Sequence, residues 1–308
     1  MLEGLHHVTA IAGEPGPLLG FYRDLLGLRL IKRTVNFDDP GTWHLYFGDA
    51  AGSPGTAMTF FLWPGAPRGR LGSGQVTATS FAVPAEALSY WAGRLEEAKV
   101  AFTGPHLRFS EAWLAFRDPD GLPLELVARA DFRGFIPPAS GVIPVEAAIR
   151  GFSGVTLAVA EEDPTLALLR DALGLHELGR EADRIRLASG ADGTVAHLDV
   201  SVRPDLPRGV VAVGQIHHVA LATGNEASQY QVREAMVAAG LHPTGVIDRR
   251  YFRSVYAREP GGVLLEVATL GPGFTVDEPL EHLGERLVLP PWHEARRAEL
   301  ERTLPPLE

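Results

Sequence analysis

A short apolar string recurs four times along the chain and constrains the fold more than any other feature. The copies are HVTAIA from His7, ATSFAV from Ala78, GVTLAV from Gly154 and HVALAT from His218. Each copy has the six-residue apolar pattern of a half-buried strand. Because similar strings recur at comparable intervals, the chain is predicted to contain four copies of one structural unit, each opened by a strand.

Each unit continues and closes in the same way. The predicted helices cover residues 17–26, 85–98, 164–173 and 226–239. A turn glycine and a second apolar string then follow, and four residues after the glycines stand Thr59, Glu125, His197 and Glu266. These positions lie 52, 47, 43 and 48 residues beyond the opening positions, a regularity that indicates duplication. We therefore predict an α+β fold of four βαβββ modules in two tandem domains, each module a curved mixed sheet with a flanking helix.

The domain boundary is predicted in a proline-rich stretch over residues 132–144. Residues 1–140 would then hold modules one and two, and residues 146–270 would hold modules three and four. Residues 271–308 are predicted to form a tail with a short charged helix.

Composition narrows the class of partner. The chain has 28 Lys and Arg against 38 Asp and Glu, and its net charge of −10 disfavours nucleic acid and anionic membranes. It has no long apolar segment and no signal-like N-terminus, so we expect a cytoplasmic protein with a small-molecule partner. Its lack of cysteine leaves histidines and carboxylates as the expected metal ligands.

Histidines and carboxylates at the repeat positions predict a metal site. Pairing unit one with unit four brings together His7, Thr59, His218 and Glu266, which supplies two imidazoles and one carboxylate. Such a triad leaves about three positions open on an octahedral Fe(II). Pairing units three and four offers an alternative triad of His197, His218 and Glu266, which spacing alone does not reject. The pairing of units two and three offers one carboxylate and one imidazole, and we expect that cavity to be metal-free.

Two features favour a ligand role for His7 and His218. Both occupy the same register in separate repeats, and each follows another histidine, His6 or His217. The other nine histidines, including His44, are interpreted as structural. Glu266 lies in an apolar strand, where a buried carboxylate needs a metal or a cationic partner.

The sequence resembles the vicinal oxygen chelate superfamily of glyoxalases, bleomycin-resistance proteins and extradiol dioxygenases. Within it the chain is most similar to ring-cleaving hydroquinone dioxygenases. The resemblance is carried by LHHVTAIAG, KRTVNFDDPGTWHLYFGD, GSPGTAMTFF, IHHVAL and DRRYFRSVYAREPGGVLLEV, and it covers nearly the whole chain.

That resemblance implies one Fe(II), sometimes replaced by Mn(II), held by His7, His218 and Glu266. It also implies neighbouring roles for Tyr256, Arg249, His217, His6 and Thr9. His6 and His217 should point away from the site if their strands are regular, so a bulge or a strand end would be needed to turn them inward. Trp43, Tyr46 and Phe60 are interpreted as candidate walls of the substrate pocket.

The implied reaction is O₂-dependent cleavage of a hydroquinone ring beside one hydroxyl group, with a small aromatic molecule as substrate. Homo-oligomers are common in this class. One alternative is a glyoxalase-like lyase or isomerase that uses Zn or Ni, although Thr59 stands at its fourth ligand position. The other is a resistance protein that binds a small molecule, but such proteins usually lack the metal triad.

Overall fold

The computed structural model describes residues 2–130, 141–189 and 196–307 and has the same order of elements in all four units. Unit one contains strand β1 (Leu2–Ala12), helix α1 (Pro15–Leu19, continued by a π-helical segment over Gly20–Leu25), β2 (Arg29–Val35), β3 (Trp43–Gly48) and β4 (Ala57–Leu62). Unit two contains β5 (Gln75–Val83), α2 (Leu88–Glu97), β6 (Phe102–Arg108), β7 (Glu111–Arg117) and β8 (Pro123–Ala128).

The second half of the chain repeats this order. Unit three contains β9 (Phe152–Val159), α3 (Asp163–Leu166, continued by a π-helical segment over Ala167–Ala172), β10 (His176–Glu181), β11 (Arg184–Ala188) and β12 (His197–Val202). Unit four contains β13 (Gln215–Thr223), α4 (Glu226–Ala238), β14 (Ile247–Asp248), β15 (Arg253–Arg258) and β16 (Leu264–Thr269). The predicted α+β fold of four βαβββ units is confirmed.

Two mixed sheets of eight strands combine units that are not consecutive in sequence. One sheet has the order β14-β15-β16-β13-β1-β4-β3-β2 and joins unit one to unit four, whereas the other has the order β10-β11-β12-β9-β5-β8-β7-β6 and joins units two and three. The predicted domains 1–140 and 146–270 therefore each contribute one unit to each sheet. Their boundary remains a prediction, because residues 131–140 lie outside the described residues.

The helices of units one and three share an unusual form that their sequences explain. The similar strings RDLLGL and RDALGL fall where each helix widens into a π-helical segment. Both helices end at a glycine with φ of +72°, Gly27 and Gly174, a conformation that disfavours other residues. Local sequence identity therefore produces the same local backbone in both units.

Two equivalent hydrogen bonds join the two sheets, one between units one and two and one between units three and four. The Tyr22 hydroxyl in unit one donates to Asp118 of unit two over 3.1 Å. The Thr165 hydroxyl in unit three donates to Glu259 of unit four over 2.7 Å. In both cases a helix contacts the turn before the last strand of the following unit, so the duplication extends to the contacts between units.

The C-terminal tail contacts both units of the first sheet, unit one and unit four. It contains helix α5 (Arg297–Thr303). The fully buried Lys32 ammonium on β2 binds the carboxylates of Asp277 and Glu278. A buried cation needs such partners, and this pair ties the tail to the first unit.

Among the described residues, no helix combines the length and apolar character needed to cross a bilayer.

Candidate metal centre and its cavity

Three side chains from the two ends of the chain meet on one face of the first sheet. His7 Nε2 lies 3.3 Å from His218 Nε2 and 3.3 Å from Glu266 Oε2, and His218 Nε2 lies 2.9 Å from the same oxygen. All three residues are buried. Of the histidines and carboxylates that the structure describes, these three form the cluster able to hold a metal ion.

Strand register explains why residues so distant in sequence converge. One row across the sheet runs through Tyr46, Thr59, Thr9 and His218 on four adjacent strands. The row beside it runs through His7, Ala220, Glu266 and Tyr256. Because residues two apart in a strand share a face, His7 and Thr9 place both rows on the same side of the sheet.

The three ligand atoms fit a divalent metal ion. Metal–ligand bonds of about 2.1 Å at right angles separate adjacent ligand atoms by about 3 Å, which matches the observed distances of 2.9 to 3.3 Å. Glu266 Oε2 is also buried, and although both histidine Nε2 atoms lie within 3.3 Å of it, neither makes an aligned hydrogen bond to it. An unpartnered carboxylate oxygen is costly to bury, and a bound cation would remove that cost.

The Glu266 carboxylate is oriented by a neighbour that sequence reasoning missed. The buried Ser254 hydroxyl donates a short hydrogen bond to Oε1 of Glu266, which leaves Oε2 facing the two histidines. Burial raises the pKa of Glu266, but His7 and His218 outweigh it and hold this pKa well below its ordinary value. Burial lowers the pKa of His218. An ionised glutamate and a neutral histidine are the forms that bind metals.

Each candidate ligand histidine is paired with the histidine before it. His6 Nδ1 lies 2.9 Å from His7 Nδ1, and His217 Nδ1 lies 2.8 Å from His218 Nδ1, with the rings at 83° in both pairs. Burial, followed by the charge of the adjacent histidine, lowers the pKa of His6 to about 3 and that of His217 to about 4. A neutral neighbour that accepts a proton at Nδ1 leaves the ligand's Nε2 lone pair free for a metal.

Strand β1 has an irregularity of the kind expected to be needed to turn His6 and His217 toward the site. The register between β1 and β13 shifts between Leu5 and His7 and again between Thr9 and Ala10. His217 lines the cavity beside the triad, whereas His6 is buried against Phe252. The two histidines therefore contact the ligands from different surroundings.

Thr9 belongs to a chain of hydrogen bonds beside the triad. Its hydroxyl lies 2.8 Å from that of Thr59, which in turn lies 2.9 Å from His44 Nε2. His44 Nδ1 then lies 3.0 Å from the Tyr46 hydroxyl. Burial, followed by the charges of His7 and His218, lowers the pKa of His44 well below its ordinary value, so this histidine is neutral.

A cavity of about 230 Å³ opens over the triad. Its remaining lining residues come from units one and four and are Asn36, Phe37, Asp38, His44, Tyr46, Phe61, Trp63, His217, Arg249, Phe252 and Tyr256. The expectation for Tyr46 is confirmed, but those for Trp43 and Phe60 are wrong. Trp43 donates to Pro305 O in the tail, and Phe60 packs against Tyr22 in the core. On a strand, a shift of one residue moves a side chain to the opposite face, and Phe61 lines the cavity instead.

Tyr256 and Arg249 lie together at the cavity wall. Arg249 Nε donates to the Tyr256 hydroxyl over 3.1 Å, and its guanidinium lies over the Tyr256 ring. Burial and the Glu266 charge raise the pKa of Tyr256, so its hydroxyl stays protonated. Because the Tyr256 oxygen accepts a hydrogen bond from Arg249, its own proton is available to another acceptor.

The equivalent position in the second sheet has a different composition. Glu125 corresponds to Glu266, but Ala78 and Gly154 stand where the two histidines would be. Arg108 binds both oxygens of Glu125, over 3.0 and 2.6 Å, and stands 17 residues before it, as Arg249 does before Glu266. In this unit the guanidinium supplies the positive charge that a metal ion would supply in the other.

His197 does not join the triad. It lies on β12 in the second sheet, 3.5 Å from Arg129, because units three and four belong to different sheets. The alternative triad containing His197 is therefore not assembled. His44 and Ser254 were not identified from the repeats, although both lie two residues from an expected cavity residue, Tyr46 or Tyr256.

Comparisons with known proteins agree with this architecture. Residues 4–126 match the model of the Glyoxalase/Bleomycin resistance protein/Dioxygenase superfamily. The chain is 43% identical to MhqO of Bacillus subtilis, provisionally named a ring-cleaving dioxygenase, with 99% of this chain and 96% of the relative covered. It is 35% identical to the chlorohydroquinone/hydroquinone 1,2-dioxygenase of Sphingobium indicum, with 98% and 96% covered. The crystal structure of a provisionally named dioxygenase from B. subtilis superposes with a TM-score of 0.94 at 41% identity, covering 100% of this chain and 98% of that one.

Proposed function

The chain belongs to the glyoxalase/bleomycin resistance protein/dioxygenase superfamily, and from this membership and its His-His-Glu cluster we propose that it is a ring-cleaving dioxygenase acting on hydroquinones. The observation that carries the proposal is the cluster itself, with three ligand atoms within 3.3 Å of one another below an aromatic cavity. Fe(II) is the proposed metal, with Mn(II) as a substitute, and O₂ is the proposed second substrate.

His7, His218 and Glu266 would hold the metal. When bound, Fe(II) would collect the substrate oxygen and O₂ at one centre and pass electron density between them. The two histidines and the carboxylate line the cavity, so a metal held by them would be accessible to a substrate bound there. The volume of this cavity suits one aromatic ring.

The remaining polar groups have roles in binding and proton transfer. Tyr256 would donate a hydrogen bond to the deprotonated ring oxygen, because Arg249 already donates to the tyrosine oxygen and so directs its proton elsewhere. His44 and Tyr46 belong to a hydrogen-bonded chain that would relay the proton lost by the ring hydroxyl rather than hold it, since burial lowers the pKa of His44. Phe61, Trp63 and Phe252 would pack against the ring and exclude water.

The glyoxalase-like alternative fits the site less well. Its fourth ligand position is occupied by Thr59, whose oxygen already bonds to Thr9 and His44. A threonine hydroxyl engaged in this way is a weaker metal ligand than a carboxylate or an imidazole.

One experiment separates these functions. The protein would be loaded anaerobically with Fe(II), and O₂ uptake would be measured with hydroquinone, methylhydroquinone and catechol. We expect O₂ uptake with the hydroquinones together with a ring-opened product found by mass spectrometry. O₂ uptake with none of them, or hemithioacetal conversion by the Zn(II)- or Ni(II)-loaded protein, would contradict the proposal.

A further inference from the structure

An ion pair lies at the wall of the cavity and joins the two units that build it. Asp38 Oδ2 lies 2.8 Å from a terminal nitrogen of Arg249. Asp38 belongs to the loop between β2 and β3 in unit one, and Arg249 follows β14 in unit four. Both residues line the cavity, and their side chains are 70% and 16% exposed.

The Asp38 loop is held in place by the tail. The backbone carbonyl of Phe37 accepts from His293 Nε2 over 3.1 Å, and the Phe37 ring meets the Trp292 ring edge to face. The side chain of Asn36 accepts from the backbone N–H of Asp38. These contacts fix the loop, so the Asp38 carboxylate is held near Arg249 by its surroundings as well as by the ion pair.

Arg249 has two of its three side-chain nitrogens, Nε and Nη2, engaged before any substrate arrives. A terminal nitrogen bonds to Asp38, and Nε bonds to the Tyr256 hydroxyl. Recognition of a carboxylate by arginine usually takes two parallel N–H donors from one guanidinium. Both pairs of parallel donors on Arg249, Nε with Nη2 and Nη1 with Nη2, include the nitrogen that bonds to Asp38, so a substrate carboxylate would have to compete with Asp38 for it.

The charges around the cavity also disfavour a substrate that carries a carboxylate. Among the described lining residues, the acidic and basic side chains are Glu266, Asp38 and Arg249. With a divalent ion they sum to +1, which one deprotonated ring hydroxyl neutralises. A carboxylate on the ring would add a second negative charge and bring the sum to −1, whereas the sum would be zero without Asp38.

On the basis of the proposed function, we propose that Asp38 is a specificity-determining residue that restricts the site to hydroquinones with uncharged ring substituents. It acts by occupying Arg249, the nearest cation that a substituent carboxylate could reach. Phe37, Phe61 and Phe252 then leave an apolar wall for substituents such as methyl or chloro groups.

The test compares methylhydroquinone with 2,5-dihydroxybenzoate in the wild type and in Asp38→Asn. Binding of both compounds to the metal-free protein would be followed by quenching of tryptophan fluorescence, since Trp63 lines the cavity. kcat/KM of the Fe(II)-loaded protein would be measured alongside. We expect the preference for the carboxylated compound, relative to methylhydroquinone, to rise about five- to tenfold in both measurements.

Asp205→Asn is the matched control, because Asp205 pairs with Arg203 on the exposed surface. We expect it to leave the ratio within about twofold of the wild type. An equal ratio in Asp38→Asn and the wild type, or a wild type that prefers the carboxylated compound, would overturn the role of Asp38. If no hydroquinone is turned over by the Fe(II)-loaded wild type, the proposed function fails, while the binding ratios still decide the role of Asp38.

Discussion

The Nε2 atoms of His7 and His218 lie 3.3 Å apart, although 211 residues separate the two histidines in the chain. Their strands, β1 and β13, pair at the centre of the first sheet, and each opens its unit. A metal bound here would link the first and the last units directly. Because the unfolded chain does not hold the ligands together, metal binding should also stabilise the fold.

His218→Ala should abolish metal binding while the protein stays folded. It removes one of three ligands, while His7 and the Ser254 hydroxyl remain as partners of the buried Glu266 carboxylate. Metal content after anaerobic loading should fall from about one ion per chain to about a tenth of that or less. Elemental analysis would measure the metal, and circular dichroism would check the fold.

The matched control is His282→Ala, since the side chain of His282 is 65% exposed and bonds only to Glu285 among the described contacts. It should keep the full metal content and the increase in melting temperature that the metal causes. Stoichiometric metal in His218→Ala would refute the assignment of the ligand.

Tyr256→Phe should keep the metal and slow turnover of hydroquinone by about 10- to 100-fold. The change removes the hydroxyl that Arg249 orients, but leaves the ring and the three ligands in place. Steady-state O₂ uptake would give the rate, and elemental analysis would confirm equal metal loading. Tyr230→Phe, on the exposed face of α4, is the control. Equal rates in Tyr256→Phe and the wild type would remove Tyr256 from the mechanism.

Repeats predicted the fold and the positions of the candidate ligands because both depend on strand periodicity, but they left two possible triads open. A histidine at the start of one strand and a glutamate four residues after a turn glycine reach the same face whenever each unit folds alike. The choice of partner units was not fixed by this reasoning. Units one and four share a sheet because β1 pairs with β13, a long-range contact that no local pattern specifies.

The rest of the site depends on features outside the repeats. Asp38 lies in a loop, where side-chain direction follows the tail contacts of Phe37 rather than a period. His44 resembled a structural histidine because a single histidine in a strand gives no directional signal. Its hydrogen bonds to Thr59 and Tyr46 appear only once β3 and β4 are paired.

Arg108→Met should destabilise the protein without changing its metal content. The substitution leaves the buried Glu125 carboxylate with the Ser80 hydroxyl but without its bidentate cation. Breaking a buried pair on one side costs on the order of 3–5 kcal/mol of unfolding free energy. Chemical denaturation of the metal-free protein would measure the loss, and elemental analysis would measure the metal after loading.

Arg203→Met, which breaks the exposed pair with Asp205, should cost less than about 1 kcal/mol. Binding of a second ion per chain by Arg108→Met would contradict the expected metal content. It would mean that Glu125 can ligate a metal once the guanidinium is removed, even though Ala78 and Gly154 stand at the two histidine positions. If its stability equalled that of the wild type, the pair with Glu125 would contribute nothing to the core.

Asp118→Asn should remove one source of pH dependence from the stability of the protein. Burial, with a further contribution from Asp120, raises the pKa of Asp118 from 3.8 to about 6. The folded protein therefore binds this proton more tightly than the unfolded chain does. The stability that Asp118 contributes is greatest below about pH 4, falls as the pH rises toward 6, and is constant above that. The fall amounts to about 3 kcal/mol.

Asparagine does not titrate, so the difference in unfolding free energy between the wild type and Asp118→Asn should decrease by about 3 kcal/mol from pH 3 to pH 7. Urea denaturation at several pH values would measure it. Tyr22→Phe provides an independent check, because the Tyr22 hydroxyl favours the ionised carboxylate by donating to it. Its loss should raise the pKa of Asp118 further and move the decrease to higher pH. A difference that does not vary with pH would mean that Asp118 titrates alike in the folded and unfolded chains.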